Sequence, residues 1–126
     1  MVVNDPNTHA EVSAEFAGYE AALIGNDVAK LDGYFWQSPH AIRYGATENL
    51  YGHEEIAAFR ASRPSAGLAR TLSKTVITTF GTDMATASTL YDRPSFPGKI
   101  GRQMQTWVRL PEGWRIVAAH VSMMDG

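Results

Sequence analysis

The apolar residues of this chain follow two rhythms, and the change from one to the other divides it. In the N-terminal half they recur every three or four positions. Val12, Phe16, Tyr19 and Leu23 are spaced by four, three and four, which makes one apolar helical stripe. Asp5 suits the cap of this helix and Pro6 its first position, where a missing N–H costs nothing. Gly25 suits its end, and Asn26 or Asp27 can cap a second, shorter helix through Val28, Leu31 and Tyr34. A short strand is expected over His40 to Tyr44, followed by Gly45 and the segment Glu48 to Gly52. A third helix starts near His53. Glu54 and Glu55 stand in its first turn, Arg60 and Arg63 near its end, and Pro64 stops it.

From Arg70 onward the rhythm becomes alternation. Arg70 to Phe80 is rich in Thr, Val and Ile, Gly81-Thr-Asp83 turns the chain, and Met84 to Tyr91 forms the next strand. Pro94 to Gly98 is a looser connection. Two long strands close the chain around the Pro111-Glu112-Gly113 turn. Helices first and a meander of strands last is an α+β pattern in one domain, residues 1 to 126. The expected architecture is a cone, a curved antiparallel sheet wrapped around the N-terminal helices. An open α+β sandwich without a cavity is the alternative. Met84 or Ala85, Val117, Val121 and Met123 supply apolar positions for the convex face, through which a dimer can form.

One strand face breaks the apolar rule. Gln103, Gln105, Trp107 and Arg109 share a face by alternation, and it carries two amides, a ring and a cation. Amides on the concave side of a sheet point to a polar pocket. Tyr19, inside the helical stripe, is either a core tyrosine or a phenol that donates a proton there. Arg43 lies opposite Ile42 and Tyr44. It faces solvent if they face the core, and is a buried cation in need of an anion if they do not. Trp36 and Trp107 read as packing, with an aromatic wall for a planar ligand as the alternative. On strict alternation His120 and Ser122 share a face with Trp114, Ile116 and Ala118. Arg60, Arg63 and Arg70 read as solvated faces or ion pairs.

Composition narrows the chemistry. Net charge is −2 with 19% charged residues, which argues against nucleic acid or an anionic membrane as partner. There is no cysteine, so disulfides, thiol catalysis and thiolate metal sites are excluded, and a cytoplasmic setting fits. The four histidines show no metal-ligand spacing, and there is no Gly-rich phosphate loop or dinucleotide fingerprint. The start, Met1-Val-Val-Asn-Asp-Pro6, has neither the basic nor the apolar region of a signal peptide, and no apolar run is long enough to span a bilayer.

Spaced motifs run along nearly the whole chain: Asn4-Asp-Pro6, Phe16-x-x-Tyr19-Glu20, Asn26-Asp27, Phe35-Trp36, Arg43-Tyr-Gly45, Glu48-Asn-Leu-Tyr-Gly52, Ala58-Phe-Arg60, Ile77-Thr-Thr-Phe-Gly81, Gly101-Arg-Gln103, Gln105-Thr-Trp107 and Gly113-Trp-Arg-Ile-Val-Ala-Ala-His-Val-Ser122. Together they resemble the oxalurate-catabolism protein family (DUF3225-type) of the nuclear transport factor 2-like, or SnoaL-like, superfamily. That family includes a dicarboxyurea hydrolase. The resemblance implies a cone-shaped fold, a homodimer or larger homo-oligomer, no metal and no organic cofactor. It also implies a small anionic ureido-carboxylate ligand and decarboxylating hydrolysis. The family's pocket tyrosine falls on Tyr19, its arginine on Arg43 and its concave-strand amide on Gln105. Gln103, Trp36 and His120 complete the expected substrate contacts. Two positions depart from the pattern: Met104 stands where serine is expected, and the Ala87-Ser-Thr-Leu-Tyr91 segment has Leu90 but no acid. A carboxylate-binding or oligomerisation module that supports a partner amidohydrolase is the alternative to an enzyme.

Overall fold

The structure is a computed structural model and describes residues 1–126. Local chemistry sets the helices. The Asp5 carboxylate accepts hydrogen bonds from the Thr8 backbone N–H and hydroxyl at 3.1 and 2.8 Å, which starts α1 (Pro6–Ile24). Asp27 caps α2 (Val28–Tyr34) through the N–H of Lys30. Then follow β1 (Ile42–Tyr44), β2 (Asn49–Tyr51), α3 (His53–Ser62), β3 (Thr71–Phe80), β4 (Met84–Asp92), β5 (Lys99–Leu110) and β6 (Gly113–Asp125). The first strand begins two residues later than its pattern suggests. Ser38 accounts for this, because its hydroxyl and carbonyl tie the N–H groups of His40 and Ala41 into a turn. No helix is long and apolar enough to cross a membrane.

The sheet runs β2-β1-β6-β5-β4-β3. Its pairs are antiparallel except β1–β6, which is parallel. No hairpin joins those two strands, so no turn forces them to oppose. The inner face and the helices enclose one core, centred on Val12, Phe16, Tyr19, Leu31, Phe35, Ile56, Trp107 and Ile116.

One residue changes how the last strand must be read. Trp107 pairs with Ile116 and Thr106 with Ala118, which leaves Val117 opposite no partner as a β-bulge. Trp114 and Ile116 face inward. Beyond the bulge the parity flips, so that Ala119 and Val121 face inward while Ala118, His120 and Ser122 face outward beside Thr106, Met104 and Arg102. Strict alternation therefore misplaces His120 and Ser122 with Trp114, and misplaces Val121 on the convex face. Because Ile42 pairs with Ala118 and Arg43 with Ala119, the same flip turns Arg43 inward. The outer face of the sheet exposes Ile42, Met84 and Met104.

Candidate active site

Under the inner face lies a hollow of about 60 Å³, lined by Tyr19, Leu23, Arg43, Arg63, Leu68, Arg70, Tyr91, Arg93, Gln103 and Val121. Tyr19 comes from α1, in the apolar stripe that docks that helix on the sheet. Its ring meets Tyr34 and Phe35 edge-on, with centroids 5.9 and 6.3 Å apart. Its hydroxyl accepts a hydrogen bond of 2.7 Å from Arg60 of α3, and both side chains are buried.

Arg43 reaches in from β1 and is 8% exposed. Its Nη1 donates to Glu48 at 2.9 Å, and its guanidinium lies over the Phe59 ring, 5.2 Å from the centroid. Gly45 makes the first contact possible: a Cβ there would stand 1.6 Å from the Glu48 carboxylate. Arg70 lies over the Tyr91 ring at 4.5 Å and is clamped by both oxygens of Glu20. Arg70 also donates to Gln103 Oε1 at 3.0 Å. With the oxygen of its amide so occupied, Gln103 keeps a buried Nε2 that has no partner. Four guanidinium groups thus line the hollow, and only Arg43 and Arg70 have carboxylate partners. Arg93 donates to the Gly67 carbonyl, and Arg63 reaches only the Asn26 side chain, at 3.5 Å, with its Nε unpartnered.

This excess of positive charge bears on Tyr19, Arg43 and Arg63. Burial resists ionisation of the Tyr19 phenol, but the charges of Arg60 and Arg43, the Arg60 hydrogen bond and the charge of Arg70 outweigh it. The phenol is therefore more acidic than an ordinary tyrosine. Burial and then the like charge of Arg60 pull Arg43 below the usual arginine value. The same two causes, in the same order, bring Arg63 down to about 10. The hollow thus gathers two guanidinium groups without a carboxylate partner and one amide donor without an acceptor.

The hollow brings together Tyr19, Arg43 and Gln103 from the sequence-derived candidates. Gln105 shares their face, but its Oε1 accepts from Trp107 Nε1 at 3.0 Å inside the core and does not line the hollow. Trp36 packs beside the core with His40, 6.0 Å between centroids. His120 is exposed on the outer face, edge-on to Tyr44. Met104 and Leu90 also lie on the outer face, paired with His120 and Arg102, so neither departure from the family pattern touches the hollow. Arg109 is half-exposed and pairs with Glu11.

Of the three arginines that read from the sequence as solvated faces or ion pairs, Arg70 does pair with Glu20, whereas Arg60 and Arg63 have no carboxylate partner; Arg93 carries no signal in the sequence. Arg60 is 1% exposed. The signal that could have found it is its place four residues after Ile56, on the apolar face of α3. No group of three or more His, Asp or Glu side chains could hold a metal ion. A wider open groove of about 540 Å³ between α1 and α2 is lined mainly by small residues, with Tyr34, Asp27, Lys30 and Arg115, and holds none of the unpaired donors.

A helix-filled cone with an open curved sheet and a hollow at its inner face defines the cystatin-like, nuclear transport factor 2-like class of α+β proteins. A protein of that superfamily from Salmonella enterica serovar Typhimurium LT2 shares the fold, with a TM-score of 0.71 at 23% identity over 92% of this chain and 90% of its own. Within that class the chain belongs to the AtzH-like family, whose model matches residues 1–126. It is similar to a DUF3225-family protein of unknown function from Pectobacterium atrosepticum SCRI1043. That match has 63% identity over 98% of this chain and 95% of the other, with a TM-score of 0.95. A cystatin-like fold protein from Burkholderia xenovorans LB400 matches at 47% identity over 100% and 98% of the two chains, also with a TM-score of 0.95. No curated protein matches the chain.

Proposed function

We propose that this protein is a cofactor-independent hydrolase of small ureido-carboxylates, which it cleaves with loss of carbon dioxide in the arginine-lined hollow. The observation that carries this reading is the meeting of an acidic phenol, a buried guanidinium and an unpartnered amide N–H around one small space. A volume of about 60 Å³ equals about two waters at their liquid share of roughly 30 Å³, enough for one carboxylate group. Arg43 holds that carboxylate, and low local dielectric strengthens the contact. Gln103 can only donate toward the ligand, because Arg70 occupies its oxygen, so it suits the urea carbonyl.

The reaction follows from this placement. The bond between the urea nitrogen and the carboxylate carbon breaks, and its electron pair stays on nitrogen. Tyr19 gives its proton to that nitrogen, and carbon dioxide leaves. Water returns a proton to the phenolate, and the released hydroxide converts carbon dioxide to bicarbonate. A single placed acid contributes about two to four powers of ten in rate. Membership of the AtzH-like family supports a part in small-molecule breakdown.

The test is incubation of the purified protein with ureido mono- and dicarboxylates, with carbon dioxide and the decarboxylated urea measured. Turnover by the native chain that is lost in Arg43→Ala and reduced in Tyr19→Phe is the expected result. Thermal stabilisation by these compounds without any product would instead make the protein a carboxylate-binding module, and full activity in Arg43→Ala would remove the assignment.

A further inference from the structure

Arg60 is the one cation of this cluster that does not line the hollow. It lies behind Tyr19, with its guanidinium carbon 5.8 Å from the centroids of both the Tyr19 and Phe35 rings. It is 1% exposed, in no ion pair, and its Nε and Nη1 have no partner. A buried cation so poorly satisfied is costly, and an apolar side chain of similar volume would pack there at no such cost. Its single hydrogen bond runs to the oxygen of Tyr19. That bond fills one lone pair of the phenol and leaves the hydroxyl proton free to be given elsewhere.

We infer that Arg60 is the positioning residue of Tyr19: it fixes the hydroxyl with its proton available to the hollow and stabilises the phenolate left when that proton departs. The inference rests on the proton role proposed for Tyr19 and adds a residue that itself touches no substrate. The other charged and titratable groups around the phenol are Glu20 on α1, Tyr34 on α2, Arg43 with its partner Glu48 at β1, Arg63 after α3, Arg70 before β3, Tyr91 on β4 and Arg93 after it. Glu48 and Glu20 are each engaged by Arg43 and Arg70, so neither offsets Arg60. The acidity of Tyr19 agrees with this placement, with Arg60 as the largest of the charges that favour its ionisation. Tyr34, Tyr51 and Tyr91 are shifted the opposite way, chiefly by burial for Tyr34 and Tyr91 and by the Tyr44 hydrogen bond for Tyr51.

The experiment is a tyrosinate absorbance titration of the native chain, Tyr19→Phe, Arg60→Met and Arg60→Lys, without substrate, beside kinetics on a ureido-carboxylate. The native chain is expected to show an early phenol ionisation that Tyr19→Phe lacks. In Arg60→Met that ionisation moves to higher pH, and kcat at neutral pH falls by about 10²-fold with KM little changed. Arg60→Lys keeps charge and a donor and recovers part of both. The Arg60→Met protein should melt no lower than the native one, whereas a structural brace would show a clear loss. An early ionisation that stays in place in Arg60→Met, or native kcat in that variant, overturns the inference. If Arg60→Met does not fold, Arg60→Lys carries the test, since its phenol must still ionise later than in the native chain. Absence of turnover in the native protein would remove the proposed function, while the titration would still decide whether Arg60 governs the phenol.

Discussion

Replacing Arg43 with Met asks whether the hollow is an anion site at all. The substitution keeps a long apolar stem and removes the guanidinium that lies over Phe59. Glu48 loses one partner, but it retains hydrogen bonds from the Thr47 hydroxyl and N–H at 2.7 and 3.3 Å. Arg60 loses a like-charged neighbour. The unliganded stability should therefore fall by less than the cost, about 3–5 kcal/mol, of breaking one side of a fully buried, otherwise unpartnered pair. Ligand binding should weaken as well. A hydrogen bond to a charged group contributes about 1.5–3 kcal/mol, so a carboxylate should bind about 10- to 150-fold more weakly. Malonate is a suitable probe and malonamide its neutral control. At a malonate concentration of about 100 Kd the native protein gains about 2.7 kcal/mol. For a domain of this size that is a rise in Tm of about 8–13 °C. A 30-fold weaker site at the same concentration gains about 0.9 kcal/mol, or about 3–4 °C. Differential scanning fluorimetry measures both. Equal malonate shifts in native protein and Arg43→Met would refute the assignment of Arg43, and a native protein stabilised equally by malonamide would refute the charge argument behind it.

Three further outcomes follow from the same geometry. Gly101→Ala sets a Cβ 2.1–2.4 Å from the Tyr91 ring, under which Arg70 is stacked. Overpacking of about 1–3 kcal/mol should lower Tm by about 3–10 °C and weaken malonate binding, and an unchanged melt would show that Tyr91 can move freely. Glu48 is held below the ordinary carboxylate range: burial opposes this, but the Thr47 hydroxyl and Arg43 prevail. Its stabilisation is complete above that ordinary range and is lost as pH falls through its depressed folded value. Urea denaturation across the acid range should show a steeper loss for the native chain than for Glu48→Gln, and parallel curves would remove Glu48 from the account. Deleting Val117 removes the unpaired residue but leaves Ile116, Ala119 and Val121 inward and Ala118 and His120 outward, so the faces survive and only the local bend is lost; the variant should still melt cooperatively and bind malonate. Loss of malonate binding in a deletion variant that still folds would contradict this account of the bulge.

Eight of the nine elements were legible in the chain, because each rests on local chemistry; β2, three residues long, read only as a segment after Gly45. Asp5 and Asp27 cap helices within three residues of themselves, and Val12, Phe16, Tyr19 and Leu23 mark one buried face by spacing alone. Alternation likewise placed Gln103 and Gln105 on the inner face of β5, away from Met104. It could not say which amide meets a ligand. That depends on Arg70 and Trp107, which take up one oxygen each and leave only the Gln103 nitrogen free in the hollow.

Alternation also fails silently wherever a residue has no partner across the ladder. Val117 carries no composition signal of a bulge, yet it decides the direction of every side chain that follows and, through the parallel β1–β6 pairing, that of Arg43. The cation cluster is a tertiary product in the same sense. Arg43, Arg60, Arg63, Arg70 and Arg93 come from one strand, one helix and the segments between, and each alone has the look of a surface residue. Sequence set the elements and the faces each presents, because caps, periodicity and alternation act over a few residues. Only folding decided where the charge collects, because Coulomb interaction and loss of water depend on distances that the order of residues does not contain.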